Sequence, residues 1–267
     1  MRETSENEPN EMRREPEQSV SSNKLMLICL KMNETNTASS DRQETSEASS
    51  EPMIEDLYGI TQELVKRLHK EGIFYIRDIN KASFKLPDHI LASAKLRKYE
   101  TRVDIPRANL ELLELNKYLS GFGELILAGS YRRGKSDMKD LDFILISDYA
   151  DSVSIVKSLP KDIYLPILKG DRKVMLYSLR QGTNKVKSAI KIDLVIIPTL
   201  SRAVSLVHFT GSAKNNIRLR IAAKRRGLLL NEKYILNLVN GEVIYPKTEE
   251  EVFQIVGVEY QRPEDRE

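Results

Sequence analysis

Leu125-Ile126-Leu127-Ala128-Gly129-Ser130-Tyr131-Arg132-Arg133-Gly134-Lys135-Ser136-Asp137-Met138-Lys139-Asp140-Leu141-Asp142-Phe143-Ile144-Leu145-Ile146-Ser147 is the stretch whose reading decides the fold. Two apolar, β-prone runs, Leu125 to Ala128 and Leu141 to Ile146, flank a polar segment rich in Gly and Arg, the pattern of two strands joined by a functional loop. Strand side chains alternate between faces, so Asp140 and Asp142 point one way and Leu141 and Phe143 the other. Two carboxylates about 4 Å apart repel by roughly 4 kcal/mol at an effective dielectric near 20, so a positive charge is expected between them. A hard divalent cation such as Mg²⁺ suits carboxylate oxygens and keeps positions open for substrate phosphates. Ahead of the pair, Gly129 and Ser130 offer backbone N–H groups and a hydroxyl to a phosphate, with Arg132 and Arg133 close by. The constellation reads as a metal-bound triphosphate site.

The competing reading is a solvated strand face with surface arginines, which an isolated Asp-x-Asp would favour. The full string is more specific: Gly-Ser-Tyr-Arg-Arg-Gly-Lys, four residues, then Asp-Leu-Asp before an apolar strand closely resembles the palm motif of family X DNA polymerases. That resemblance implies an α+β fold: a nucleotidyltransferase (polymerase beta-like) palm with a mixed sheet and helices. A helix-hairpin-helix subdomain would precede it and a small α/β C-terminal subdomain follow.

The 267 residues suffice for one or two compact domains, and 40% hydrophobic residues permit a sizeable core. The net charge of +3 hides an asymmetry: residues 1–52 hold 11 acidic and 6 basic side chains, net −5, and the remainder is net +8. A basic folded part suits a polyanionic partner. Cys29 is the single cysteine, which excludes an intramolecular disulfide and agrees with a reducing compartment. The longest apolar run near the start, Leu25 to Leu30, is too short for a membrane span. The expectation is a soluble, intracellular protein with no membrane partner, nuclear if the source is eukaryotic.

Residues 1–53 are dominated by Glu, Ser, Thr and Asn and read as a disordered tail, with Lys24 to Met32 as an apolar island. From residue 54 the pattern changes. Leu64, Val65 and Leu68 recur at helical spacing, predicting a helix from Thr61 to Lys70 that Glu71-Gly72 stops. Leu57-Tyr58-Gly59-Ile60-Thr61, that helix and Ile76-Arg77-Asp78-Ile79 resemble the family's helix-hairpin-helix, which grips duplex phosphates through backbone N–H groups. The copy departs from the pattern at Thr61, where the second hairpin Gly stands, and at Gln62, where Pro is usual; an ordinary helical hairpin is the competing reading. Residues 54–107 are thus expected to bind DNA through Gly59 and Thr61. Leu91 to Glu100 and Pro106 to Leu119 show further helical spacing, and Asp104 stands where the family carries a basic residue, so Arg102 is the candidate replacement.

The palm is expected over 108–204. Ser152 to Leu159 reads as a helix, Asp162 to Leu176 as short strands around Lys169-Gly170-Asp171, and Ala189 to Pro198 as a β-rich run with one embedded carboxylate. An unpaired Asp inside such a strand is costly unless it meets a cation. The resemblance makes Asp193 the third metal ligand beside Asp140 and Asp142, and Lys191 is assigned to DNA.

Residues 205–267 form the expected nucleotide-selecting subdomain. His208-Phe209-Thr210-Gly211-Ser212 precedes a helix from Ala213 to Arg226, closed by Gly227, in which Asn216 and Arg220 share a face beside an apolar stripe of Ile217 and Ile221. By resemblance, His208, Phe209 and Gly211 lie along the incoming sugar. Asn216 and Arg220 reach the minor-groove side of the nascent pair, where the acceptor pattern is nearly sequence-independent. Lys224-Arg225-Arg226 reads as a solvated helix end.

The implied activity is DNA-directed addition of deoxynucleotides to a primer 3′-hydroxyl in gapped or primed duplex DNA, as in short-gap repair, by a monomer. Two Mg²⁺ ions, replaceable by Mn²⁺, would serve both ends of the in-line displacement. Asp140 and Asp142 would hold both ions, and Asp193 the catalytic ion while accepting the proton. Gly129, Ser130, Arg133 and Lys139 would cradle the phosphates. No lyase activity is expected, because the residues before the hairpin lack the periodicity and basic character of a lyase domain. The alternatives are a template-independent, terminal-transferase-like nucleotidyltransferase, which Phe209, Asn216 and Arg220 disfavour, and a DNA-binding module with lost chemistry, which the three acidic positions disfavour. RNA-tail synthesis is a weaker third.

Overall fold

A computed structural model describes residues 51–182 and 185–267. The first helices are α1 (Gln62–Lys70) and α2 (Asp88–Leu96). Thr61 caps α1 by accepting a hydrogen bond from the Leu64 amide at 3.3 Å, which leaves Val65 and Leu68 as the buried stripe. They pack with Ile54, Leu57, Ile73, Ile79, Leu86 and Ile90 into one small core. Strand β1 (Val103–Asp104) leads into α3 (Ile105–Leu119), where Asp104 accepts from the Arg107 amide at 2.9 Å and Pro106 sits in the first turn.

The central region follows with β2 (Glu124–Leu127), a short α4 (Gly129–Arg132), β3 (Asp137–Met138), β4 (Leu141–Ile146), α5 (Ser152–Ser158), β5 (Tyr164–Lys169), β6 (Lys173–Gly182) and β7 (Lys185–Ile197). Five of these strands make a mixed sheet in the order β2-β4-β7-β6-β5, with β4 and β7 parallel and the other pairs antiparallel. The C-terminal part consists of α6 (Arg202–Thr210), α7 (Ala213–Arg225), β8 (Leu228–Leu230), β9 (Ile235–Asn237), β10 (Val243–Ile244) and α8 (Glu249–Val256). Its core joins Val204, Val207, Leu219, Ala223, Val252 and Phe253.

Alternation along the central strands explains where the site falls. Leu141, Phe143 and Leu145 of β4 and Ile192, Leu194 and Ile196 of β7 face α3 and α5, burying the main core against Leu115, Leu119 and Ile155. Each such side chain contributes roughly 1.5–3 kcal/mol of burial. On the opposite face, Ile144, Ile146 and Ile197 pack under Leu206 of α6, while Tyr177, Leu179 and Ala189 pack under Tyr58, Ala92 and Leu96 of the N-terminal helices. Asp142 and Asp193 share this second face, between its two apolar covers.

Some expectations are corrected. The predicted loop after Ala128 contains the short helix α4, and β4 begins at Leu141, so Asp140 lies in the bend before the strand. The stripe of α7 that packs is Asn215, Leu219 and Ala223; Ile217 and Ile221 are 59% and 49% exposed, because the helix turns its adjacent face to the core. The expected tail extends through residue 53, yet Pro52 accepts a hydrogen bond from the Ile76 amide and Met53 bridges to Tyr75. Cys29 and the island at 24–32 lie outside the described residues. Among the described residues no helix is long and apolar enough to cross a membrane.

Candidate active site

Parallel pairing of β4 with β7 sets Asp142 directly beside Asp193, although they are far apart in sequence. Asp142 lies beneath the turn that opens α4: a side chain at Gly129, whose φ is +54°, would put its Cβ 1.9 Å from Asp142 Oδ2. Only glycine permits that approach. Burial, then the negative charges of Asp140 and Asp193, push the Asp142 carboxyl up to about 7, with Lys173 and Arg133 opposing. A carboxylate this crowded calls for a cation, and hard oxygen donors are the set that magnesium favours.

Asp140 and Asp193 are both close enough for their charges to act on Asp142. Among the described residues no three acidic, histidine or cysteine side chains are arranged to hold an ion. In the structure Asp193 is engaged instead by protein partners. Its Oδ1 accepts a 2.5 Å hydrogen bond from the Tyr58 hydroxyl, and its Oδ2 pairs with Lys173 Nζ at 2.8 Å. The embedded acid thus meets a cation, as its burial requires, but the cation is a lysine. Tyr58 is also 2.6 Å from the Ile192 carbonyl, and burial together with the Asp193 charge drives its own pKa far up, so it remains a donor.

The arginines of the turn expected to cradle phosphates are drawn toward the C-terminal part. Arg132 donates to Thr210 Oγ1 at 2.7 Å and to Glu249 Oε2 at 3.0 Å, and Arg133 donates to the Thr210 carbonyl at 2.5 Å. Glu249 also receives Arg266, which is fully buried, at 2.6 Å. Burial alone would raise the Glu249 carboxyl, but the Arg132 hydrogen bond and the charges of Arg266 and Arg132 outweigh it and hold it below the usual range. Ser130 sits half-buried in α4, Lys139 is exposed just before Asp140, and Met138 is buried in the core.

At the end of α6, His208 and Phe209 meet edge to face, and Gly211 follows at φ +74° with a cis peptide to Ser212. Asn216 Nδ2 donates to the His208 carbonyl at 2.7 Å, and the exposed Arg220 lies 3.5 Å from His208 Nδ1. Burial, then the Arg220 charge, lowers the His208 pKa and keeps the ring neutral near pH 7. His208, Phe209, Asn216 and Arg220 thus form one cluster.

The candidate DNA contacts are less uniform. Gly59 is buried, with Ile167 2.7 Å from where its Cβ would stand, so the hairpin turn rests on β5. Thr61 is exposed and engaged as a helix cap. Lys191 does not offer its charge to a ligand: it is 7% exposed and pairs with Glu100 at 3.3 Å, which corrects the expectation of a DNA contact. Arg102 is tied to Asp137. Sequence reasoning missed Tyr58, Lys173 and Glu249. Lys173 carried a usable signal, since a β6–β7 hairpin pairing sets it opposite Val195, two residues from Asp193 on the same face.

Residues 205–267 match the DNA polymerase beta thumb family. The chain is 32% identical over 159 residues to the DNA polymerase/3′-5′ exonuclease PolX of Bacillus subtilis (strain 168), covering 58% of this chain and 26% of that protein. It is 26% identical over 162 residues to DNA polymerase lambda of Rattus norvegicus, covering 53% and 28%. The chain thus spans little more than a quarter of these curated relatives. In structure it resembles Leishmania infantum polymerase beta in a ternary P/T complex, with TM-score 0.67, 22% identity and coverage of 80% of this chain and 97% of that one. The ternary gap complex of the same protein gives TM-score 0.68, 20% identity and coverage of 80% and 88%. The chain thus joins a polymerase beta-like α+β fold to a segment that matches the polymerase beta thumb and to sequence similarity with PolX and DNA polymerase lambda.

Proposed function

We propose that this chain is a DNA-directed DNA polymerase that adds deoxynucleotides to a primer 3′-hydroxyl and fills short gaps during repair. The observation that carries the reading is the pairing of Asp142 with Asp193 beneath Gly129, where burial and the charges of Asp140 and Asp193 push the Asp142 carboxyl up while Lys173 covers Asp193. In this reading residues 54–107 bind DNA, 108–204 form the palm and 205–267 select the nucleotide.

Asp140, Asp142 and Asp193 would hold divalent ions, which when bound lower the pKa of the 3′-hydroxyl and neutralise charge on the departing pyrophosphate. The chain's own residues do the rest. Ser130, Arg133 and the backbone of the Gly129 turn hold the β- and γ-phosphates, with Lys139 adding charge at the rim. Arg133 is held by the Thr210 carbonyl, so a triphosphate would draw it from a neutral partner to an anionic one. Asp193 takes the proton of the attacking hydroxyl at a carboxylate oxygen once Lys173, which is 47% exposed, swings aside. Phe209 and Gly211 border the sugar, while Asn216 and Arg220 face the minor groove of the new pair. Neutral His208 packs beside the sugar without adding charge.

Extension on a one-nucleotide gapped duplex with Mg²⁺ tests the reading. The expected result is incorporation of the base complementary to the template, and its loss in Asp193→Ala. Equal extension of a single strand without template would favour a terminal-transferase-like activity, and extension unaffected by Asp193→Ala would overturn the proposal.

A further inference from the structure

The Tyr58–Asp193 contact joins two parts of the chain that the catalytic assignment treats separately. Tyr58 stands immediately before the hairpin glycine Gly59, yet its hydroxyl ends on the carboxylate of β7, 135 residues away. The contact is built rather than incidental. The Tyr58 residue is 9% exposed, its ring meets Tyr177 edge to face at 5.2 Å, and it packs with Leu96, Leu165, Ile167 and Ala189. A buried ring anchored among these side chains holds its hydroxyl at a fixed place.

The two oxygens of Asp193 are held in unlike ways. Oδ1 faces a rigid, buried donor, whereas Oδ2 faces an ammonium on a flexible, half-exposed stem. A carboxylate fixed at one oxygen and covered at the other by a displaceable cation is arranged to exchange that cation for another. Outer-shell hydrogen bonds that orient metal-holding carboxylates typically change metal affinity by 10–100-fold when removed.

We infer that Tyr58 is a positioning residue for Asp193. Its hydroxyl fixes Oδ1 so that Oδ2 is presented to a divalent cation and to the attacking hydroxyl, and Lys173 holds that place until they arrive. This rests on the reading of Asp193 given under Proposed function. It further makes the seat of the hairpin on the sheet a condition of the carboxylate's orientation, because Gly59 is held against Ile167 next to Tyr58.

The test uses the full chain and Tyr58→Phe, which keeps the ring and removes only the hydroxyl. Mn²⁺ alone is titrated and followed by electron paramagnetic resonance, and gapped-duplex extension is measured against Mg²⁺ concentration. Tyr58→Phe is expected to raise the Mn²⁺ half-saturation about tenfold and to recover most of its extension rate at saturating Mg²⁺. Tyr177→Phe is the packing control: it removes a hydroxyl bonded to Glu100 at 2.6 Å from the same core without touching Asp193, and should leave Mn²⁺ binding unchanged. Unchanged or tighter Mn²⁺ binding in Tyr58→Phe overturns the inference, as does an equal shift in Tyr177→Phe. Should the unaltered chain bind Mn²⁺, with the tenfold shift in Tyr58→Phe, yet extend no primer, the polymerase reading fails and the positioning role stands. A chain that binds no Mn²⁺ ends both.

Discussion

Replacing Asp142 by Asn should make the metal-free protein more stable while abolishing its proposed chemistry. The Asp142 carboxyl is pushed from 3.8 to about 7, first by burial and then by Asp140 and Asp193. A raised carboxyl contributes stability that is fully present below its unfolded value and is lost as pH rises through the folded one. Each pH unit between the unfolded and folded values is worth about 1.4 kcal/mol, so at about pH 8 the ionised group destabilises the fold by roughly 4 kcal/mol. Asn has nearly the same shape and carries no charge, so Asp142→Asn should recover most of that, a rise of about 8–16 °C in Tm for a domain of this size. The gain should shrink to under about 1 kcal/mol near pH 4, where Asp142 is protonated. Scanning calorimetry of both proteins in EDTA across this range measures it, and adding Mg²⁺ should stabilise only the unaltered chain. A Tm for Asp142→Asn at or below that of the unaltered chain near pH 8, or a gain independent of pH, refutes the reasoning.

Glu249→Ala should cost about 3–5 kcal/mol in urea or thermal unfolding, because it strands the fully buried Arg266 and frees Arg132 from α8. Since the Glu249 carboxyl is held below its usual range, its contribution should be present above about pH 4.5 and fade as pH falls further; a loss under about 1 kcal/mol would count against the ion-pair argument. Gly129→Ala should retain the fold by circular dichroism yet lose more than about 100-fold in gap filling, because its Cβ would collide with Asp142 Oδ2 and displace it. Near-normal extension would show that the close approach is dispensable.

Much of this architecture was legible where the signal is local. The Gly129-to-Asp142 string marks its strands, and Thr61, Gly72 and Gly227 bound helices that the structure places within a residue or two. What was not legible depends on tertiary choice. The apolar pair Ile217 and Ile221 and the pair Leu219 and Ala223 both lie on α7, and only the neighbours decide which set is buried. The four-residue α4 is too short to display a period. Lys191 and Lys173 alternate along different strands with equal claims to a ligand, and their fates follow from what lies opposite: Glu100 for one, Asp193 for the other. Tyr58 gave no local hint, because its partner is fixed by the docking of the hairpin on the sheet.

The parallel alignment of β4 and β7 also governs when competence can arise during synthesis. Its strands are separated by α5, β5 and β6, so the acidic locus exists only after a long loop has closed and a slow, non-local pairing has formed. A nascent chain halted before Ala189 would carry the whole glycine-arginine turn and two of the three acids proposed to hold ions, yet lack the pairing of Asp142 with Asp193.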